Sequence, residues 1–374
     1  MKVRPLIKLA DFKIPVCKGM KNKKCPWCGR ENGEELMRCA GCGTELPVPP
    51  KPPVASPLPT PKFLNLSAIS EVIIREEGFP YPNWGKILEQ IELNVPQEKR
   101  EEAINEAARQ WLELLRGTCG ENYFLDESRN FFVVSCREKE VRKNISKVAE
   151  DAWIKIQNAL AGLNRPKTSG KRVLLLFDQT DDYYRYISHF YPEGSHKLNG
   201  GVFLKEGYGH IAIPSEGMRT FGRTLAHELA HNALFGLPVP LWLNEGVAMR
   251  FETVVAGQSR TYRDTDLIDD HRQYWTTQSI QGFWQGATFS SPEHSKLAYS
   301  LANILVGLII EDRLDFKTFL QNAHFSDNGS AAAIKYLGRS LGTVAGIFLG
   351  PGDWEPKLVE PAAKTDASKT QDAL

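Results

Sequence analysis

The chain has 374 residues and a formal net charge of +1, with 42% hydrophobic and 24% charged residues. These proportions are ordinary for a globular protein and leave enough apolar side chains for a core of useful size. The balanced charge excludes an electrostatic case for nucleic acid or an anionic membrane as the partner of the whole chain.

The N-terminal residues argue against export of the chain. Met1–Lys8 contains no continuous apolar region of the kind that a secretory signal needs. The most apolar run, Leu297–Ile310, is shorter than the roughly 20 residues that span a bilayer. The cysteine count of 7 is odd and fits reduced thiols and a metal better than a set of disulfides. We therefore expect a cytoplasmic protein without a membrane-spanning helix.

Residues 22–46 contain two C-x-x-C pairs, each followed by glycine. The four thiols belong to Cys25, Cys28, Cys39 and Cys42. In each pair the glycine allows a tight turn in which backbone amides face the sulfur atoms, and four thiolates suit a tetrahedral Zn²⁺. The segment resembles a zinc ribbon, in which the metal replaces a core that so few residues cannot build. Its surroundings lack a dense basic and aromatic face, so nucleic acid is not indicated and a protein partner stays open.

Residues 47–62 are rich in proline, which is typical of a semi-rigid extended linker. Residues 63–125 follow as a mainly helical segment. Within it, Glu98–Arg116 carries apolar residues at helical spacing, and Gly117 predicts the end of that helix. We assign this segment a packing role and no chemistry.

From residue 126 to residue 345, strands and helices alternate before a final run of helices. The predicted strands are 131–135, 172–177, 201–204 and 210–213, and the predicted helices are 141–163, 181–190, 219–234, 242–255, 297–313, 316–324 and 331–340. This order predicts an α+β fold with a mixed sheet and a C-terminal helical bundle. Residues 256–295 have no clear assignment, and the polar residues 351–374 predict a disordered tail.

The chemistry concentrates in the predicted helix 219–234. It contains T-L-A-H-E-L-A-H, an H-E-x-x-H pattern formed by His227, Glu228 and His231. Residues four apart share one face of a helix, so the two histidines can point at one metal ion. The carboxylate of Glu228 would then lie beside the metal, where it can accept a proton from a bound water.

A hydrolytic zinc needs a third protein ligand and an open position. The segment P-L-W-L-N-E-G places Glu245 beyond a Gly/Pro turn, within reach of His231 if a second helix folds back. The flanking apolar residues indicate that the motif helix is packed, so that buried imidazoles would need partners. The residues therefore favour a catalytic zinc over a pair of exposed helix histidines.

The same residues resemble the gluzincin metallopeptidases, most closely the peptidase MA-like group. The resemblance spans roughly residues 130–325 and rests on T-L-A-H-E-L-A-H followed by P-L-W-L-N-E-G-V-A. It implies a zincin-like domain in which His227, His231 and Glu245 bind zinc. It also implies that Glu228 is the general base and that the strand pair before the motif borders the substrate cleft.

Two parts of the gluzincin pattern are incomplete in this chain. Many members have an acidic residue four positions after the third ligand, where it orients a zinc histidine. Met249 stands at that position, and Asn244 or Glu252 would have to replace its function.

The donor that stabilises the oxyanion is the second incomplete part. Tyr299, in the stretch A-Y-S of a later helix, matches the pattern best. His294, His210 and Tyr208 are the alternatives, and for all four residues a packing or surface role competes with the catalytic one.

We therefore expect a zinc metallopeptidase that acts on a peptide or protein, with one catalytic and one structural zinc. The alternative is an inactive peptidase-like protein whose ribbon recruits a protein or nucleic-acid partner. Hydrolysis of a non-peptide amide is a third possibility. The absence of a G-x-M-x-N-like stretch near Gly200 and Gly201, of the kind that captures a free amino end, favours an endopeptidase.

Overall fold

A computed structural model gives the fold of the chain. The described residues are 23–24, 31–32, 62–69, 71–163, 170–191, 200–214, 220–256, 265–311 and 315–357. The chain divides into two compact units. One consists of Met1–Lys155 with Lys167–Asn232, and the other of Ile156–Pro166 with Ala233–Leu374.

The strands form a mixed sheet and two small hairpins. They are β1 (Lys23–Lys24), β2 (Glu31–Asn32), β3 (Ile73–Glu76), β4 (Phe79–Pro82), β5 (Phe124–Glu127), β6 (Phe131–Ser135), β7 (Arg172–Leu176), β8 (Val202–Leu204) and β9 (His210–Ile213). The main sheet has the order β5-β6-β7-β9-β8. Its three central strands are parallel to one another, and its two outer strands are antiparallel to their neighbours. The mixed sheet predicted from the sequence is confirmed.

Helices make up most of the rest of the described chain. They are α1 (Trp84–Asn94), α2 (Arg100–Cys119), α3 (Lys139–Ala159), α4 (Thr180–Ser188), α5 (Phe221–Leu234), α6 (Leu241–Ala256), α7 (Thr265–Tyr274), α8 (Ser279–Trp284), α9 (Ser295–Glu311), α10 (Phe316–Asn322), α11 (Ser330–Ala332) and α12 (Leu341–Leu349). Strands and helices therefore coexist in the pattern expected of the α+β class.

The central strands of the sheet are buried on both faces. All five residues of β6 are buried, and β7 has four buried residues in a row. Their sequences read as continuous apolar runs without a polar alternation, as expected for parallel strands that are covered on both sides. This explains why both strands were predictable from the sequence.

The segment before the sheet contains more β-structure than its sequence pattern predicts. The hairpin β3–β4 turns at Glu77 and Gly78, which have φ angles of 51° and 86°. The hairpin is tied to α2 because the indole of Trp111 donates a hydrogen bond of 3.0 Å to the carbonyl of Pro80. Helix α2 also continues through Gly117, where we expected it to end, and is capped by Gly120 with a φ angle of 132°.

The second unit is built around helices α6 and α9. The buried indole of Trp242 donates a hydrogen bond of 3.0 Å to the carbonyl of Asn328 and meets Trp284 edge to face at 5.5 Å. The unassigned residues 256–295 contain α7 and α8. The predicted helix 331–340 is shorter in the structure, because α11 runs into a π-helical turn that Gly338 ends with a φ angle of 67°.

Several predicted segments lie outside the described residues. The four cysteines of the ribbon, most of the proline-rich linker and the tail after residue 357 belong to them. Strands β1 and β2 pair in antiparallel fashion on either side of the first C-x-x-C pair. Among the described helices, none combines the length and apolarity needed to cross a membrane.

A buried histidine is built into the first unit. His210 on β9 is 3% exposed, and its Nδ1 donates to the carbonyl of Tyr208 at 2.7 Å. Its Nε2 must then accept the hydroxyl proton of Tyr186, at 2.8 Å. Burial lowers the pKa of His210 to about 4, so the neutral imidazole is the folded form.

The second unit contains a similar histidine. His271 on α7 is 0% exposed and accepts a hydrogen bond of 2.7 Å at Nδ1 from the indole of Trp275. Its Nε2 therefore donates to the hydroxyl of Ser300 on α9, at 2.9 Å. Burial lowers the pKa of this imidazole to about 4 as well.

These two histidines predict acid sensitivity of the fold. Below about pH 6.5 the unfolded chain binds protons on both imidazoles that the folded chain does not bind, so the free energy of unfolding falls as the pH drops toward 4. The loss should approach about 3 kcal/mol per histidine. Urea unfolding near pH 7.5 and near pH 5 measures it. His210→Gln and His271→Gln should each flatten the pH dependence, and an unchanged slope in both variants would contradict this origin.

Candidate metal centre

Helix α5 presents the two motif histidines on one face. Leu225, Ala226, Leu229 and Ala230 are each 0% exposed and embed the helix, as its apolar flanks predicted. His227 and His231 are half-buried, and their ring centroids lie 4.7 Å apart with planes 81° to each other. One turn of helix therefore brings the two imidazoles together without any further constraint.

The start of α5 is packed against the edge strand β8. A Cβ atom on Gly201, next to that strand, would lie 2.8 Å from the Thr224 methyl group and 3.1 Å from Ile213. Only glycine fits this approach. Because Thr224 lies one turn before His227, the strand pair leads directly to the motif, in agreement with the order read from the sequence.

A short turn connects α5 to α6, the helix that carries Glu245. Gly236 has a φ angle of 85°, which glycine adopts easily. The carbonyl of Pro240 then accepts hydrogen bonds from the backbone N–H groups of Leu243 (3.1 Å) and Asn244 (3.0 Å), and these bonds form the first turn of α6. Glu245 is half-buried on this helix.

The three predicted ligands meet in space. Among the described side chains, His227, His231 and Glu245 form the one group of histidine, cysteine and acidic residues that could hold a metal ion. One donor atom from each lies within 4.8 Å of the others. Donors that are each about 2.0–2.2 Å from a shared ion lie within about 4.4 Å of one another, so the separation fits a metal after small adjustments.

The chemistry of this donor set suits a divalent transition metal. Two neutral imidazoles and one carboxylate form a three-residue set that leaves room for a water molecule or a substrate atom. The three residues are half-buried, so the group is not sealed inside the protein core. A fully enclosed site would instead suit a purely structural metal.

Glu228 differs from the ligands in its burial. It is 7% exposed and follows His227 in the helix, so its side chain points about 100° away from that of the histidine. A carboxylate in this position lies beside the metal group and is not a member of it.

Two tyrosines near Glu228 were not singled out by the sequence. Burial raises the pKa of Tyr183 on α4, and the Glu228 carboxylate raises it further. The pKa of Tyr191 is raised by burial, then by Glu228 and Glu206. No sequence pattern connects either tyrosine to the motif, because only the tertiary packing brings them near α5.

Tyr299 lies on the face of α9 that meets α6. A Cβ atom on Gly246 would lie 2.6 Å from both the Ala302 carbonyl oxygen and the Val306 Cγ2, so those two residues mark the contact face of α9. Tyr299 precedes them by three and seven residues and therefore shares that face. Its ring is half-buried and packs edge to face on Phe289 at 5.2 Å.

The three alternative oxyanion donors have other contacts. His210 is enclosed by the hydrogen bonds to Tyr186 and Tyr208, and the Tyr208 hydroxyl donates to the carbonyl of Lys171. His294 stacks on Tyr274 at 4.0 Å. The first two residues belong to the core of the first unit, so their packing role accounts for them.

Met249, which stands where many gluzincins have an acidic residue, is half-buried. Met249 follows Glu245 by one helical turn on α6 and cannot accept a strong hydrogen bond from an imidazole. Glu252, two turns after Glu245, shares the same face of the helix, whereas Asn244 is rotated away from it by about 100°. Glu252 is therefore better placed than Asn244 to take over the function of the acid.

The proximity of the two histidines on α5 to Glu245 on α6 predicts that all three residues are needed for tight metal binding. His231→Ala should remove one equivalent of metal because two ligands cannot hold the ion as tightly as three. Cys25→Ser should remove a different equivalent if the cysteine pairs bind zinc. Elemental analysis of the purified chain measures both, with His294→Ala as the matched control. Full retention of metal by both His231→Ala and Glu245→Ala would contradict the assignment.

The likeness to gluzincins depends on the residues around the motif. Comparison of the whole sequence with protein-family models gives no match, and comparison with curated proteins gives no significant match. The chemistry of the His227, His231 and Glu245 group is therefore the basis on which a function can be assigned.

Proposed function

We propose that the protein is a zinc-dependent metallopeptidase of the gluzincin type, with a zincin-like catalytic domain. The observation that carries the proposal is the convergence of His227, His231 and Glu245 to within 4.8 Å. A set of two histidines and one glutamate is a known ligand set of catalytic zinc in peptidases. The carboxylate of Glu228 beside the group favours hydrolysis, because a purely structural metal has no use for an adjacent base.

Zinc bound by these ligands would lower the pKa of a coordinated water to about 7 and polarise the carbonyl oxygen of the scissile bond. Glu228 would be the general base that takes a proton from the attacking water. It then donates that proton to the amine that leaves. Glu228 is 7% exposed, which limits competing contacts with solvent.

Tyr299 is the donor that we assign to the oxyanion. Its place on the α9 face that meets α6 brings it to the helix that carries Glu245. A phenol can donate a hydrogen bond to the oxygen that gains negative charge in the transition state, where such a bond is stronger than in the ground state.

An extended peptide suits the edge of the sheet. Strand β8 is the outer strand beside β9, and within the described residues no strand pairs with its other edge. Gly201, the residue before β8, packs against Thr224 of α5, so this strand lies near the motif helix. Backbone groups of a substrate can add to such an edge as a further strand, which favours peptides over other amides.

The residue Met249 favours a second function, that of an inactive peptidase-like protein. Met249 cannot orient a ligand histidine as an acid would, which weakens the site and suits a peptidase-like protein that only binds a partner. In that case the N-terminal cysteine pairs would provide the recruiting module. The retained Glu228 favours the enzyme.

The proposed mechanism predicts a specific loss in Glu228→Gln. Because the amide cannot accept the proton, hydrolysis should fall by about 10²-fold or more while the metal content stays unchanged. Cleavage of an unfolded protein substrate, together with zinc analysis, measures both quantities. Glu206→Gln, which also removes a carboxylate near Tyr191, is the matched control and should remain active. Equal activity of Glu228→Gln and the unmodified chain would refute the role of Glu228.

Tyr299→Phe should reduce kcat by about 10²- to 10³-fold, since it removes one donor to the oxyanion and leaves the ring in place. Metal content and KM should change little. Steady-state kinetics on a fluorogenic peptide gives the two constants. Tyr274→Phe removes a tyrosine hydroxyl elsewhere in the second unit and serves as the control. A variant with normal kcat would assign the donor to another residue.

A further inference from the structure

Helix α6 touches helix α9 backbone to backbone at the residue that follows Glu245. A Cβ atom on Gly246 would lie 2.6 Å from the carbonyl oxygen of Ala302 and 2.9 Å from its carbonyl carbon. The same atom would lie 2.6 Å from the Val306 Cγ2. An ordinary van der Waals contact between a Cβ atom and another heavy atom begins at 3.4 Å. Any side chain at position 246 must therefore displace one of the helices by roughly 0.8 Å.

Helix α9 is held on its other faces. It has eleven buried residues between Leu297 and Ile309. The hydroxyl of Ser300 accepts the hydrogen bond from the buried His271, which fixes α9 against α7. Moving α9 would disturb these contacts as well as the contact with α6.

Helix α6 is less enclosed on one flank, which lies about 60° to 100° around the helix from Gly246. Its buried residues around the contact are Gly246, Val247 and Ala248, whereas Glu245 and Met249 are only half-buried. A displacement at position 246 therefore costs less if α6 shifts or turns toward this half-buried flank. That flank carries the carboxylate of the third ligand.

We propose that Gly246 is a positioning residue for the metal centre, because its close approach to Ala302 sets the distance of Glu245 from the two histidines. Metal–ligand distances tolerate about 0.2 Å, which is several times smaller than the displacement that a Cβ atom requires. The inference rests on the proposed function only in that the three residues bind a metal. It does not require that the site hydrolyses anything.

The test is the metal affinity of the full-length chain, measured by competition with a chromogenic zinc chelator. His231→Ala identifies which step of the titration belongs to this centre. Gly246→Ala should lower the affinity of that step by about 10- to 100-fold, the range seen when residues that support ligands are changed. The step that depends on Cys25 should not move.

Control variants separate positioning from a general loss of stability. Gly117→Ala is also a change within a helix, but a Cβ atom there meets nothing within 4 Å. Val344→Ala removes buried volume from α12, which packs on α9, and its urea unfolding can be compared with that of Gly246→Ala. Both controls should retain the unmodified affinity. If Gly246→Ala does not fold, Val306→Leu enlarges the facing side chain and should produce a smaller loss in the same step.

Three results would overturn the inference. The first is an unchanged affinity in Gly246→Ala. The second is an equal loss in Val344→Ala, since the effect would then follow stability and not position. The third is an unmodified chain that binds no metal at His227 and His231, which refutes the proposed function and this inference together. A chain that binds metal normally but cleaves no peptide refutes only the proposed activity.

Discussion

The constraint on which the proposed metal centre depends is the distance between side chains that would share one ion. Two of the ligands are placed by a single turn of helix, because residues four apart in α5 share a face. The position of Glu245, the proposed third ligand, is not fixed by the geometry of the same helix. Glu245 reaches the group because α6 follows the turn at Gly236. Helix α6 is held in place in part by the hydrogen bond from the Trp242 indole to the carbonyl of Asn328. The centre therefore combines a rigid local pair with a ligand that depends on tertiary packing.

The parts of the structure that could be predicted from the sequence are those fixed over short distances along the chain. The apolar runs of β6 and β7 and the spacing of His227 and His231 have their cause within a few residues. The hairpin β3–β4 was missed because three of the four residues in β3 are exposed, so neither an apolar run nor an alternation is present. Helices α7 and α8 were missed for a related reason, since their polar and aromatic residues gave no clear period.

Part of the candidate site could also be predicted from the sequence, because some of its residues are brought together over short distances along the chain. The proximity of Glu245 to the histidines could be predicted because a Gly/Pro turn and a second helix leave it a short path back to them. The aromatic neighbours Tyr183 and Tyr191 were not found, since they come from a separate helix and from the residues after it. The oxyanion candidates illustrate the limit well: position in the sequence admitted both His210 and Tyr299. Only burial and hydrogen bonding separate a core imidazole from a tyrosine on the α6 face of α9.

The half-burial of His227, His231 and Glu245 has a consequence for the handling of the protein if they bind the metal as proposed. A metal held by residues that solvent can reach exchanges through local motion and does not require unfolding of the chain. Under the proposed function, bound zinc, which has no visible absorption, would be replaceable by cobalt, whose colour reports the number and type of its ligands. The architecture thus allows the coordination of the centre to be followed in solution without a label.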